Sequence, residues 1–383
     1  MSFSDIRAGV VGVGFIGVAH VEALRRIGVD VAGVVGSSPE RARAKAEAAG
    51  LPPVYDSLED LASDDSVDVI HIASPNYAHA DQARLVIEAG KHVVCEKPLA
   101  LTSEDTADLV ARASDASLVN AVCFNIRHYP LNHQAMAMVA AGDIGEPMFL
   151  TGSYHQDWLL KDTDWNWRLQ PEEAGQLRAV ADIGSHWLDL TRFISGRNVE
   201  AVMADLHTLV PIRRHPPGPV ESFAKADEGA ELIEETMTSD DAAGILLRYE
   251  GGTRGAVTIS QVSAGEKNSV RYEIAGTEGA ISWYSQHPDQ LMIGHRDRPN
   301  EVLYRDPGMS APEASRNMAY PSGHVEGFPD TFRALFTQVY TAIDQGDGTG
   351  TTYPTFADGH DAVLVTDAIA KSDADKRWMT VER

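Results

Sequence analysis

At 383 residues the chain is long for a single core, so two domains are expected, and an apolar share of 43% is enough to fill both. A formal charge of −24 excludes nucleic acid and anionic membranes as partners, since both select a basic face. The two cysteines, Cys95 and Cys123, lie in apolar runs; without CxxC or HExxH patterns, neither a disulfide framework nor a metal site is expected.

The N-terminus lacks the basic region of a signal peptide. The apolar run 8–19 is glycine-rich and too short to span a bilayer, so a reducing cytoplasm is the expected location. Residues 6–11 read as a strand, followed at once by Gly12-Val-Gly14-Phe15-Ile16-Gly17 and a helix to Gly28. This is G-x-G-x-x-G between strand and helix, the setting in which it binds a dinucleotide. Gly12 permits the tight turn, Gly14 lets backbone approach a pyrophosphate, and Gly17 lets helix pack on strand. The helix N-terminus adds free N–H groups and the positive end of its dipole.

The next strand covers 29–35. An acid usually follows it to hold the ribose 2′-hydroxyl of NAD, but here the chain reads Gly36-Ser37-Ser38-Pro39-Glu40-Arg41. Ser37, Ser38 and Arg41 suit a 2′-phosphate, so tolerance of NADP beside NAD is expected. Ser38, Pro39 and Gly50 also read as ordinary helix punctuation.

Strand and helix go on alternating. Strand 67–73 ends in Ser74-Pro75-Asn76-Tyr77-Ala78-His79, strand 91–96 in Glu96-Lys97-Pro98, and strand 118–124 in Asn125-Ile126-Arg127. The pattern predicts a doubly wound parallel sheet over residues 1–124, with ligands at the carboxyl ends of its strands. Ser74, Pro75, Asn76, His79, Glu96, Lys97 and Asn125 fall at such ends. Lys97, between a buried strand and a proline, has little backbone freedom and is expected to point into the cleft.

From 125 to 383 a second, α+β domain is expected. A helix near 131–141 precedes strands at 147–154, 199–208, 242–249, 253–260, 270–275, 279–284 and 290–294. Strands without intervening helices predict a largely antiparallel sheet. Stretches 210–235 and 296–328 read as long surface loops, and helices close the chain near 330–343 and 357–371. Residues 181–190 read as a helix with Asp182 and His186 one turn apart on one side. Ile183, Trp187, Leu190 and Ile194 form its apolar stripe. The plain alternative is a half-buried helix whose Asp is a cap and whose His is merely satisfied.

Four ordered motifs now stand together: Gly12-Val-Gly14-Phe15-Ile16-Gly17, Ser74-Pro75-Asn76-x-x-His79, Gly90-Lys-His-Val-Val-Cys-Glu96-Lys97-Pro98 and Asp182-Ile-Gly-Ser-His186. In this order and spacing the chain resembles the Gfo/Idh/MocA oxidoreductases over nearly its whole length. The resemblance implies a Rossmann domain, an open, mostly antiparallel substrate sheet, and NAD(P)-linked oxidation or reduction of sugars and polyols. It also implies that Lys97, Asp182 and His186 form the catalytic constellation. Trp167-Arg168 resembles the family's Trp-Arg pair, which places Arg168 near the cofactor. The segment Tyr154-His155-Gln156-Asp157-Trp158 resembles that of levoglucosan-type dehydrogenases, making Gln156 and Asp157 candidates for substrate binding.

Oxidising a secondary alcohol needs a base near neutral pKa, which histidine supplies, and a positive charge for the developing alkoxide, which Lys97 supplies. Asp182 would orient a neighbouring hydroxyl. Whether His186 or Lys97 takes the proton stays open at this level. Some relatives use retained NAD in a glycoside-hydrolysing cycle, and others bind dinucleotide as non-catalytic regulators; the presence of Lys97, Asp182 and His186 together argues against the second. Trp158, Trp165 and Trp167 suit either a sugar face or a core, and an uncovered sheet face predicts a homo-oligomer, dimer or tetramer.

Overall fold

Apolar residues recur without alternation in the first third of the chain, and there the strands lie buried on both faces. The computed structural model describes residues 3–218, 231–346 and 352–383. The chain divides into two units, Met1–His128 with Gly327–Val363, and Tyr129–Glu326 with Leu364–Arg383.

The first unit opens with β1 (Arg7–Val11), α1 (Phe15–Arg26), β2 (Asp30–Val35), α2 (Pro39–Ala49), α3 (Leu58–Ser63) and β3 (Val69–Ile72). It continues with α4 (His79–Glu88), β4 (His92–Cys95), α5 (Ser103–Asp115) and β5 (Asn120–Val122). All five strands are parallel, in the order β2-β1-β3-β4-β5. The order reverses between β1 and β3, and ligands of such sheets gather beyond the strand ends at that point. α2 owes its limits to its ends: Ser38 caps it through the Arg41 N–H, and Gly50 closes it in the left-handed region.

In the second unit come α6 (Pro130–Ala141), β6 (Pro147–His155), α7 (Pro171–Ala174), α8 (Ser185–Ser195) and β7 (Val199–His207). They are followed by β8 (Ile212–His215), β9 (Ile233–Thr236), β10 (Ala242–Tyr249), β11 (Arg254–Ser260) and β12 (Ser269–Gly276). β13 (Ala280–Tyr284), β14 (Gln290–Gly294), β15 (Glu301–Tyr304) and α9 (Pro312–Ser315) complete that run. Last are α10 (Phe328–Gln345), α11 (Phe356–Asp375) and β16 (Met379–Thr380).

The large sheet runs β15-β14-β13-β12-β6-β11-β10-β7-β16. Its pairs are antiparallel except β6 with β11, which is parallel. That exception brings the carboxyl ends of β6 and β11 side by side, with the Gln156 N–H donating to the Ser260 carbonyl at 2.7 Å. α8 packs on β6 and β12. Trp187, fully buried, drives this contact, and its indole N–H donates to the Arg271 carbonyl at 3.0 Å. Gly152 on β6 makes room for it, since a Cβ there would stand 2.5 Å from the indole nitrogen.

Three expectations need correction. The domain boundary at 124/125 is too simple, because the chain returns to the first unit with Gly327–Val363. Phe332, Leu335, Phe336, Val339 and Tyr340 of α10 complete a core with Val10, Val21 and Leu24, and an amphipathic pattern does not say which sheet it covers. The stretches 210–235 and 296–328 are not only loops. They hold β8, β9 and β15, although residues 219–230 lie outside the described residues. β8 and β9 escape a hydrophobic reading because charged residues stand opposite one another in their register, Arg213 across from Glu235 and Arg214 across from Glu234, while the arginines pair with Asp241 and Asp162 outside the ribbon. Finally, the helix holding Asp182 begins as a π-helical turn, Val180–Gly184, before α8.

Candidate functional site

In the first unit, the turn after β1 has the geometry its glycines predict. Gly12 sits at φ +110°, and a Cβ there would lie 2.4 Å from the Ala73 carbonyl. At Gly17 a Cβ would collide with the Gly12 carbonyl. At Gly14 it would meet nothing within 4 Å. The turn is therefore closed toward the sheet and open outward, which fits a pyrophosphate approaching Gly14 at the α1 N-terminus. Phe15, Ser37 and Arg41 are exposed, and Ile16, Ser38, Ser74, Pro75 and Asn76 are half-buried. The end of β2 carries no acid; Asp30, at its start, pairs with Arg7 at 2.7 Å.

Beyond β4, Glu96 is buried while Lys97 is half-buried. One Glu96 oxygen accepts from the Lys97 backbone N–H and the other lies 3.2 Å from His20 Nε2. His20 contacts His71, whose Nε2 is 3.0 Å from the Tyr340 hydroxyl. A buried line of polar groups thus runs from Tyr340 to the carboxylate beside Lys97. Burial and the neighbouring His20 hold His71 well below the usual imidazole range. His79 lies inside, its ring nitrogens 2.7 Å from the Pro98 carbonyl and 3.0 Å from that of Ser74. It ties together the loops after β3 and β4, and burial lowers its pKa. Asn125 is buried too, donating to Thr331 Oγ1 at 2.8 Å. His20, Glu96 and Cys123 offer ligand atoms within 4.8 Å of one another, and burial and the Glu96 charge push the Cys123 thiol well up.

In the second unit, Asp182 and His186 come to the same neighbour. The Tyr154 ring centroid is 6.3 Å from that of His186, and the phenol is pushed up by burial, then by Tyr129 and the charge of Asp182. Asp182 Oδ1 accepts from Arg168 Nε at 3.2 Å, and Oδ2 from Gln261 Nε2 at 2.7 Å. Arg168, expected near the cofactor, is here an ion-pair partner of Asp182 and lies over the Trp167 ring. Gln156 lies 3.3 Å from the same Gln261 nitrogen and donates to Asn268, which also accepts from the Tyr154 hydroxyl. Asp157 turns the other way, to Lys267 at 2.7 Å and the Gly265 N–H, and Lys267 lowers its pKa.

The tryptophans divide. Trp165 is core, stacked 3.6 Å from His215, whereas the Trp158 indole N–H donates to Gln156 Oε1.

Residues with no motif to announce them hold this cluster. Asp240 accepts from the Arg178 and Val180 N–H groups and so caps the turn that carries Asp182. Asp241 is shared by the buried Arg178 and Arg213. Arg213 in turn binds the carbonyls of Leu159, Lys161 and Asp164. The one sequence signal was position: Gln261 follows β11 as Gln156 follows β6.

Comparison with known proteins agrees with both halves of this geometry. The family model described as "Oxidoreductase family, NAD-binding Rossmann fold" matches residues 6–124, and that of the "GFO/IDH/MocA C-terminal domain" matches 132–282. The chain belongs to the Gfo/Idh/MocA family. It is 30% identical to levoglucosan dehydrogenase of Pseudarthrobacter phenanthrenivorans over 98% of each chain. A solved structure of levoglucosan dehydrogenase in complex with NADH and L-sorbose matches with a TM-score of 0.88 and 29% identity, covering 100% of both chains. D-xylose 1-dehydrogenase (NADP(+)) 2 of Haloferax volcanii is 32% identical over 49% of this chain and 57% of its own. In this family the doubly wound first unit and the mixed, mostly antiparallel second sheet are the expected pair. Among the described residues, no helix is long and apolar enough to cross a membrane.

Proposed function

We propose that the chain is an NAD(P)-dependent sugar dehydrogenase that oxidises a secondary or anomeric hydroxyl of a sugar, polyol or glycoside, with anhydro sugars such as levoglucosan as the first class to test. What carries this reading is Asp182, gripped by Arg168 and Gln261 beside Tyr154 and His186, in a family whose relatives carry the names of sugar dehydrogenases. A dinucleotide held at the glycine turn would supply the acceptor for the hydride that the alcohol carbon gives up. Asp182 accepts a hydrogen bond from a neighbouring substrate hydroxyl and so fixes which carbon is presented. His186 takes the hydroxyl proton, and Lys97 supplies positive charge for the oxygen that loses it. Gln156 offers further polar contacts.

Both dinucleotides are proposed as cofactors. The exposed Ser37 and Arg41 and the missing acid after β2 support NADP binding at least comparable to NAD. A homo-oligomer is proposed from the large sheet, whose uncovered face exposes Phe149, Leu246 and Met292. A cytoplasmic location is supported by two free, buried cysteines.

The test is a panel of levoglucosan, D-glucose, D-xylose and myo-inositol with each dinucleotide, read by the absorbance of the reduced nicotinamide. Turnover that depends on Lys97 and His186 is expected. A chain that binds NADH but reduces neither dinucleotide with any sugar, polyol or glycoside would overturn the reading. For the cofactor choice, NADP weaker than NAD by a hundredfold, about 2.7 kcal/mol, would do the same.

A further inference from the structure

Gln261 is fully buried one residue past β11, and its side chain has neighbours of opposite kinds. Its oxygen accepts from Arg178 Nη1 at 2.9 Å, while its nitrogen donates to Asp182 Oδ2 at 2.7 Å and lies 3.3 Å from Gln156 Oε1. A guanidinium only donates and a carboxylate only accepts, so the amide has one orientation; flipping it would set oxygen against carboxylate and NH₂ against guanidinium. Arg178 is itself fixed by Asp241, which Arg213 also holds. The Gln261 backbone is pinned as well, its N–H donating to the Asp241 carbonyl and its carbonyl accepting from the Leu159 N–H.

The orientation propagates. Gln156 Oε1 faces the Gln261 nitrogen and accepts from the Trp158 indole, so its NH₂ must turn to Asn268 Oδ1, which also accepts from the Tyr154 hydroxyl. A single buried ion pair therefore sets the direction of three consecutive amides and of the Asp182 carboxylate. We propose that Gln261 is the positioning residue of the site, passing the fixed orientation of the Arg178–Asp241 pair to Asp182 and Gln156 and so setting which sugar epimer is accepted. This rests on the reading of Asp182 as the residue that orients substrate.

Gln261→Glu tests it through pH. The new carboxyl keeps the acceptor that Arg178 needs but replaces the donor to Asp182. The charged groups facing this point are Asp182, Arg178 and, through them, Arg168, Asp241, Asp240 and Arg213. Two carboxyls this close share one proton, which restores the donor at low pH; ionising the second breaks it. With the best substrate of the panel, kcat/KM of Gln261→Glu should stay within about threefold of wild type at pH 6 and fall by at least about tenfold relative to wild type by pH 8.5, mostly through KM, as expected for lost ground-state positioning. Gln261→Leu, which cannot donate at any pH, should raise KM and erode discrimination between epimers at both pH values while NADH affinity is unchanged.

A loss in Gln261→Glu that is equal at pH 6 and pH 8.5 would mark a packing defect and overturn the proposal. So would wild-type KM and epimer preference in both variants. Asp182→Asn separates the two levels. If it leaves KM unchanged, the underlying reading of Asp182 fails; if it raises KM while the Gln261 variants do not, only the positioning role fails.

Discussion

Arg84 in the first unit meets Asp81, Asp105 and Asp108 at the surface, whereas Arg178 in the second shares Asp241 with Arg213 in a fully buried cluster. The surface cluster costs little, and its hydrogen bonds simply raise the Arg84 pKa and lower those of Asp105 and Asp108. In the buried cluster desolvation dominates: it lowers Arg178 and raises Asp240 despite the opposite charges beside them. The first unit's own deep polar line, His20, His71 and Tyr340, uses groups that can stay neutral. The first unit keeps its buried charge to Glu96 and the Arg127–Asp358 pair, each beside neutral groups. A unit that must hold a carboxylate and several amides in one orientation buries a cluster of charges.

The largest effects should fall on turnover. His186→Ala should lower kcat by roughly 10²–10⁴-fold, the range for a lost general base, and remove the acidic limb of the pH–rate profile. Lys97→Ala, in the other unit, should cost at least as much by removing charge stabilisation made mainly in the transition state. Neither should change NADH affinity more than modestly, as a direct titration will show. If both retain near-normal turnover, the catalytic assignment is wrong. Next in size is Asp241→Asn, which keeps shape but leaves Arg178 and Arg213 buried without their shared counter-charge. It should destabilise the second unit by about 3–5 kcal/mol, the usual cost of breaking a buried pair. Denaturant unfolding followed by hydrogen exchange should place the loss in the second unit; a change under about 1 kcal/mol would mean that the buried cluster behaves like the exposed one.

The contrast also decides what the sequence revealed. Gly12, Gly14 and Gly17 announce themselves because a tight turn leaves few residue choices, and the strands of both sheets follow from apolar runs, the edge strands β15 and β16 excepted. β10 and β14 have the very limits that their patterns predict. That Asp182 and His186 share a neighbourhood was legible through their spacing, and both lie beside Tyr154. Gln261, Arg178, Asp240 and Asp241 were not legible, because their roles depend on pairing between segments dozens of residues apart, and a buried Asp241 looks in sequence like an exposed one. The return of α10 to the first unit was hidden for a similar reason: its stripe shows that it packs, not on what. Arg168, placed by resemblance, has its guanidinium on Asp182, a pairing that no sequence pattern announces.

The neutral groups of the first unit carry their own signature with pH. His71 has a folded pKa well below the usual value of about 6.5, so above that pH neither state is charged and it contributes nothing. Below it the unfolded chain takes a proton that the folded chain refuses, and stability falls by up to about 1.4 kcal/mol per pH unit for each such histidine. His79 and His92, also lowered by burial, act in the same direction. Urea unfolding at pH 7.5 and 5.5 should show the drop, and His71→Gln should reduce it by about one proton's worth. An unchanged drop in that variant would remove His71 from the account.

The smallest effect should come from the Arg84 cluster. Its guanidinium reaches Asp105 Oδ1 at 2.5 Å, Asp108 Oδ2 at 2.8 Å and Asp81 Oδ1 at 3.0 Å, and so ties α4 to α5. The side chain is 26% exposed and Asp81 89%, so water screens each contact, and Asp108 keeps a second partner in Arg112. Arg84→Ala should therefore cost at most about 1 kcal/mol, and less as salt is raised. The chain's charge of −24 works in the same sense, since losing one cation among crowded carboxylates adds repulsion that salt also relieves. Both terms shrink with ionic strength, so the wild-type and variant unfolding midpoints should converge between low and high salt. A cost of several kcal/mol that persists in high salt would show that this cluster is structurally equivalent to Arg178, Arg213 and Asp241, and that the two units do not differ in how they hold charge.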